Sequence, residues 1–280
     1  MRRVAHISDL HFGRTNPAVV AALILKLRDL APDVVVVSGD LTQRARSRQF
    51  QEARNFLDAL DCPTVVVPGN HDVPLENLFD RFFRPFAKFR RYITEDLSPT
   101  FQDEELAIVG INTARSFTRA SGWIADPQIE AARQLFCSVD PDVLKIVVTH
   151  HPFDIPQTLA DKYLLRRSAQ AIAALATCQA DLYLAGHSHV PFAVLSERRY
   201  TVAHHTALIV QAGTSLSTRT RSVPNSFNLI HLDRPAMTVE HFHWDVPSAQ
   251  FISGTASHFK HNTTGWQTVR EDDSHYYHAG

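Results

Sequence analysis

The segment Thr64-Val-Val-Val-Pro-Gly-Asn-His-Asp72 constrains the fold of this chain more than any other. Val65, Val66 and Val67 form an unbroken β-branched run, as expected of a parallel strand covered on both faces, and Pro68-Gly69 ends it in a turn. An amide, an imidazole and a carboxylate follow at once. The polar chemistry therefore falls at the carboxyl end of the strand, the edge where open α/β sheets bind ligands. The same grammar recurs four times. Residues 4–7 deliver Ser8-Asp9-Leu10-His11, Val34-Val-Val-Val37 delivers Gly39-Asp40-Leu-Thr-Gln43, residues 144–149 deliver His150-His151-Pro152, and residues 181–185 deliver Gly186-His187-Ser188-His189. Amphipathic helices are expected over 18–30, with Val19, Leu23, Leu27 and Leu30 on one face, and over 46–60, with Phe50, Phe56, Leu57 and Leu60 inward. Such a βαβ series forms a parallel sheet with right-handed crossovers.

Farther along, residues 100–103 and 106–111 read as a hairpin that delivers the loop 112–123. Arg115, Arg119 and Trp123 in that loop are candidates for a substrate rim, with a solvated loop as an equal alternative. Helices are expected over 126–137, where Asp126-Pro127 caps the start, and over the alanine-rich 166–178. Strands at 192–195, 206–211, 227–232 and 237–244 suggest an antiparallel continuation. The chain loses clear periodicity after Asp245, so the expected division is a domain over 1–245 and a terminal extension over 246–280. Residues 75–92 interleave Phe79, Phe82, Phe83, Phe86, Phe89 and Tyr92 with five cations. Buried aromatics beneath a solvated basic face are the favoured reading there, ahead of a clamp on a nucleotide or a nucleic-acid strand.

With 280 residues, 44% of them hydrophobic, the chain can bury one large core. Its formal net charge of −1 supplies no general pull toward nucleic acid or an anionic membrane, so phosphate affinity has to be local. Cys62, Cys137 and Cys178 are widely spaced and odd in number, which fits three separate thiols in a reduced cytoplasmic protein. No room exists for a signal peptide after Arg2-Arg3, and no apolar run approaches the ~20 residues of a membrane span. Sixteen histidines are many, but His258, His261, His275 and His278 near the end read as solvated side chains.

Five polar clusters on one sheet edge, with oxygen and nitrogen ligands and no cysteine pair, suit a pair of borderline transition ions such as Mn, Fe or Zn better than one structural zinc. In this order D-x-H, G-D-x-x-Q, G-N-H-D, T-H-H-P and G-H-S-H resemble the calcineurin-like metallophosphoesterases over roughly residues 1–232. The weaker G-D-L-T-Q, the 112–123 loop and the stretch from Gln211-Ala-Gly-Thr-Ser215 through Ser226-Phe-Asn-Leu229 are similar to the bacterial class III cyclic-nucleotide phosphodiesterases. The resemblance implies an α/β fold, a four-layer α/β/β/α sandwich of two mixed sheets flanked by helices. It implies that Asp9, His11 and His189 hold one ion and Asn70, His150 and His187 the other, with Asp40 bridging. His71 would protonate the leaving oxygen with Asp72 orienting its ring, and Asn70, His71 and Arg115 would contact the substrate. Within His150-His151 the family pattern favours the first, while spacing leaves the second open.

Two ions about 3.5–4 Å apart can share one water and present it as a bridging hydroxide to phosphorus. The expected activity is therefore hydrolysis of a small phosphodiester, a cyclic nucleotide being one candidate. A phosphomonoesterase, a nucleotide-sugar or lipid pyrophosphatase and a repair nuclease remain as alternatives on the same core. A non-catalytic scaffold is disfavoured because every ligand is present. The expected partner is a small phosphoester, with no membrane, nucleic acid disfavoured and a homodimer left open.

Overall fold

A computed structural model describes residues 1–118, 120–202, 205–218 and 223–269. Arg119, His275 and His278 lie outside the described residues. The architecture is the four-layer sandwich expected from the sequence. In the first sheet β1 (Arg2–Ile7), β2 (Val34–Ser38) and β3 (Thr64–Val67) run parallel, with α1 (Pro17–Leu30) and α2 (Ser47–Asp58) as crossovers. The sequence reading covered β3 on both faces, and its three valines are indeed buried, but it pairs on one side only and forms the edge of this sheet.

The second sheet begins with β4 (Thr100–Gln102), which pairs antiparallel with β5 (Leu106–Gly110). It continues through the parallel strands β6 (Leu144–Val148) and β7 (Leu182–Ala185), joined by α6 (Ser168–Ala176), while α5 (Asp126–Ser138) joins β5 to β6. β8 (Phe192–Leu195) closes it, paired antiparallel with β9 (Leu208–Gln211), which runs parallel to β7. β10 (Ser226–Asp233) and β11 (Ala236–Asp245) return to the first sheet beside β1.

Alternation along the valine strands builds the layers. Val34 and Val36, with Ile230 on the same sheet, face Ile146, Val148 and Leu184 of the other. Val35 and Val37 face Leu23, Leu27, Phe50 and Phe56 of the first helical layer, and Val147, Tyr183 and Ile209 meet Phe136, Ile172 and Leu175 of the second. Because both sheets point the carboxyl ends of their parallel strands to the same edge, the polar loops after β1, β2, β3, β6 and β7 converge there.

Three expectations are corrected. Residues beyond Asp245 form β12 (Gln250–Asn262) and β13 (Gly265–Thr268), which complete the first sheet in the order β13-β12-β11-β10-β1-β2-β3. β12 carries little apolar alternation because most of its side chains face solvent. Cys137 and Cys178 are not separate thiols: a disulfide links α5 to α6, with Cα atoms 4.9 Å apart, and Cys62 is the free cysteine. Residues 75–92 are two short helices, α3 (Leu78–Phe83) and α4 (Ala87–Tyr92), broken at Arg84-Pro85. Phe89 is buried in the first helical core as expected, but Phe79, Phe82 and Phe83 are exposed, since a helix this short packs only part of its surface.

Candidate metal centre

Each candidate ligand sits two to four residues beyond a strand end, and five of them adopt a left-handed backbone: Asp9 (φ 52°), His11 (50°), Asp40 (52°), His187 (69°) and His189 (60°). Non-glycine residues seldom take this conformation, and their concentration here turns successive side chains inward instead of along the strand direction. Two glycines permit the close approach. A Cβ at Gly69 would overlap the Asp40 carboxylate, and one at Gly186 would overlap Ser8 Oγ and Asp9 Oδ2.

The seven expected ligands come together. Asp9 Oδ1 lies 3.0 Å from His189 Nε2 and 3.6 Å from His11 Nε2, and the two imidazole nitrogens are 3.4 Å apart. Asp40 reaches both halves, with Oδ2 3.8 Å from His11 Nε2 and Oδ1 3.4 Å from His150 Nε2. His150 Nε2 is also 3.1 Å from Asn70 Oδ1 and 3.3 Å from His187 Nδ1. Overlapping clusters Asp9/His11/His189, Asp9/Asp40/His150 and His11/Asp40/His71 each bring their ligand atoms within 4.8 Å of one another.

Backbone groups orient these rings. His150 Nδ1–H donates to the Ser38 carbonyl at 2.8 Å and His187 Nε2–H to the Ala120 carbonyl at 2.9 Å, so each turns its other nitrogen to the cluster as a lone pair. Asp9 Oδ2 accepts from Ser8 Oγ and the His187 amide, whereas Asp9 Oδ1, fully buried, accepts no well-directed hydrogen bond despite the imidazoles beside it. Two buried carboxylates, facing lone pairs and an oxygen without a donor fit cations, and oxygen with imidazole ligands fits borderline transition ions.

The local field agrees. Burial would raise Asp9, yet His189 and His11 hold it well below the usual carboxylate range, and His150 and His71 do the same for Asp40. Burial would lower His150, yet the Asp40 charge lifts it to about 9, so the site favours positive charge.

His151 lies behind the centre. Its Nδ1 is 2.9 Å from Thr113 Oγ1, its Nε2 is buried without a partner, and it forms a further cluster with His150 and His187. His150 alone of the pair faces Asp40 and Asn70. His71 stacks edge-on to His11 with ring centroids 4.8 Å apart. Its ring is oriented by the Gln43 carbonyl, which accepts from Nδ1 at 2.9 Å. Asp72 does not do this. Its carboxylate accepts from the amides of Gly69, Leu41 and Thr42 and from Thr42 Oγ1, pinning the loops after β2 and β3 together. Burial and the neighbouring Asp40 push Asp72 up to about 6. Arg115 is exposed, with its guanidinium 5.6 Å from the Trp123 ring, and bonds to no candidate ligand among the described residues.

Sequence reasoning missed the backbone acceptors of Ser38, Ala120 and Gln43, which carry no residue signature. It also missed Arg44, and it set Arg81 on a solvated basic face; both line a cavity of about 150 Å³ together with Asn70 and His71.

Comparisons with known proteins agree with this geometry. The profile of the family described as calcineurin-like phosphoesterase matches residues 2–191. A glycerophosphodiester phosphodiesterase GpdQ of Enterobacter lignolyticus is 30% identical over 160 residues, covering 53% of this chain and 56% of that protein. The chain thus spans little more than half the length of that relative. A probable cyclic nucleotide phosphodiesterase of Synechococcus is 25% identical over 200 residues, covering 68% and 74%. Among solved structures, a dimetal phosphatase from Danio rerio superposes with a TM-score of 0.64 at 13% identity, covering 90% of this chain and 98% of that one, which bears on the fold alone.

Proposed function

The chain belongs to the calcineurin-like phosphoesterase family, and from that premise we propose that it hydrolyses a phosphodiester at a two-ion centre. The observation that carries this reading is the convergence on Asp40 of two ligand groups, one built on Asp9, His11 and His189 and the other on Asn70, His150 and His187. Each group would hold one ion, Mn, Fe or Zn. Such a pair lowers the pKa of water and neutralises phosphoryl oxygens when bound.

The remaining steps fall to the protein's own side chains. Asn70 and His71 line the cavity beside the centre and would position the phosphoryl group there. With Nδ1–H committed to Gln43, the His71 ring is held in one orientation, ready to deliver a proton to the departing oxygen. Asp72 fixes the loop that carries both residues. Arg115, exposed on its loop, would meet only the distal part of a substrate. The same arrangement would serve a diphosphate bond, so a nucleotide-sugar or lipid pyrophosphatase is the second reading, favoured by the two arginines of that cavity.

The test is a rate comparison with enzyme of measured metal content on bis-p-nitrophenyl phosphate, 3′,5′-cyclic AMP, 2′,3′-cyclic AMP, a phosphomonoester and a nucleotide-sugar pyrophosphate. Preference for a diester is expected, and a strong preference for the monoester would overturn the proposal. No described helix is long and apolar enough to cross a membrane.

A further inference from the structure

The ladder between β6 and β7 ends where the Gly186 amide donates to the His150 carbonyl at 3.1 Å. Beyond it the chain turns through the left-handed residues His187 and His189, so the sheet no longer fixes how these two ligands sit against His150. A side chain spans the gap. Gln211, the last residue of β9, is fully buried. Its Oε1 accepts from Ser188 Oγ, and its Nε2 donates to the carbonyl of Asp154 in the loop that carries His150.

Both ends of this link are held, and so is its middle. Ser188, between the two histidines, is buried, its amide donating to the Gly186 carbonyl at 2.8 Å and its hydroxyl accepting from the Val190 amide at 3.2 Å. The Asp154 carboxylate is fully buried against Arg199 Nε, with Arg198 Nε 3.7 Å away. Gln211 pairs with Ala185 of β7 in the ladder, and its carbonyl accepts from Asn228 Nδ2 of β10 at 3.0 Å.

The residue type points to a task other than filling space. A methionine would match its length with no polar group to desolvate, and an ionised glutamate would have no hydrogen for the Asp154 carbonyl. An amide accepts at one end and donates at the other. The link also reaches both halves of the centre: His189 belongs with Asp9 and His11, and His187 with Asn70 and His150. Displacing Ser188 therefore moves one ligand of each group.

We propose that Gln211 is a positioning residue of the metal centre: by tying Ser188 to the Asp154 carbonyl it sets the spacing of the two ligand groups and with it the affinity for both ions. This inference rests on the two-ion reading above.

The experiment titrates full-length, metal-free protein with Mn(II) and compares the parent with Gln211→Met, Ser188→Ala and the double variant. It reads the dissociation constants and the electron paramagnetic resonance of the loaded centre. Each single variant should bind both ions about tenfold or more weakly, as loss of a group that orients ligands does, and should reduce the exchange-coupled signal of the parent's Mn(II) pair. The double variant should be no worse than Gln211→Met, because both changes remove one link. Lower melting temperatures with parental dissociation constants and parental coupling would make the contact merely structural and overturn the proposal, as would fully additive losses. Should Gln211→Met fail to fold, Ser188→Ala carries the same two readouts. A parent that binds one ion removes the two-ion reading and this proposal with it; a parent with two ions, matched by its variants, removes the proposal alone.

Discussion

Replacing Asp40 by asparagine keeps the size of the side chain and deletes its charge. In the structure this carboxylate approaches His11 Nε2 with one oxygen and His150 Nε2 with the other, while Oδ1 also accepts from the His71 amide at 2.8 Å. It is therefore the group shared by both halves of the centre. Removing a unit charge about 4 Å from a cation is worth about 4 kcal/mol at an effective dielectric constant of 20. An amide oxygen left in its place recovers part of that. A net loss of about 2 kcal/mol for each ion, close to thirtyfold in each dissociation constant, is the expected size. Metal content after dialysis, read by plasma mass spectrometry beside the metal dependence of bis-p-nitrophenyl phosphate hydrolysis, measures it. Asp9→Asn is the control, because Asp9 should chiefly serve one ion, so that only one of two binding transitions moves. Two ions bound to Asp40→Asn at the parental midpoints would refute the shared role.

Three other outcomes are expected. His71→Ala should keep both ions and lose about 10²–10⁴-fold in turnover on a diester with a poor leaving group, but far less with p-nitrophenolate leaving; equal losses on both would remove it as the proton donor. Gly69→Ala should weaken ion binding and lower stability by about 1–3 kcal/mol, because its Cβ overlaps the Asp40 carboxylate and backbone; parental melting with parental metal content would contradict this. His6 is buried, 2.9 Å from Ser38 Oγ, and burial outweighs the opposing pull of Asp9 to bring it down to about 3. Since the unfolded ring takes a proton near 6.5 and the folded ring does not, the contribution of His6 is present above that pH. It is lost as pH falls from about 6.5 toward 3, amounting to about 2 kcal/mol by pH 5. Urea unfolding of metal-free protein at pH 7, 6 and 5 should show a shallower pH slope for His6→Gln, and an unchanged slope would exclude the histidine as the source.

Most of the ligand set was legible because each member follows a buried strand whose β-branched run announces itself. The register of parallel strands then does the rest: Ile7 lies beside Val37 and Ser38 beside Val67, so the residues just beyond them must be neighbours. What orients those ligands was illegible. The carbonyls of Ser38, Ala120 and Gln43 belong to residues whose side chains say nothing about them. Asp72 was misread for a related reason, since a carboxylate beside a histidine in sequence need not face it once the 3-10 turn of Asn70–Asp72 rotates successive side chains apart. β12 escaped because a strand with solvent over most of its side chains has no apolar rhythm to read. The exposed rings of α3 carry the helical spacing of a core helix, and only Pro85 hinted that the segment was too short to bury them.

The five left-handed residues set the chemistry of this protein against its own robustness. Each such backbone costs on the order of 1 kcal/mol that glycine, and to a lesser degree asparagine, would recover. Metal-free chains screened only for heat resistance should accordingly accumulate glycine or asparagine at positions 9, 11, 40, 187 and 189. Left to fold selection alone, the protein would drift toward a sturdier and inert relative of itself.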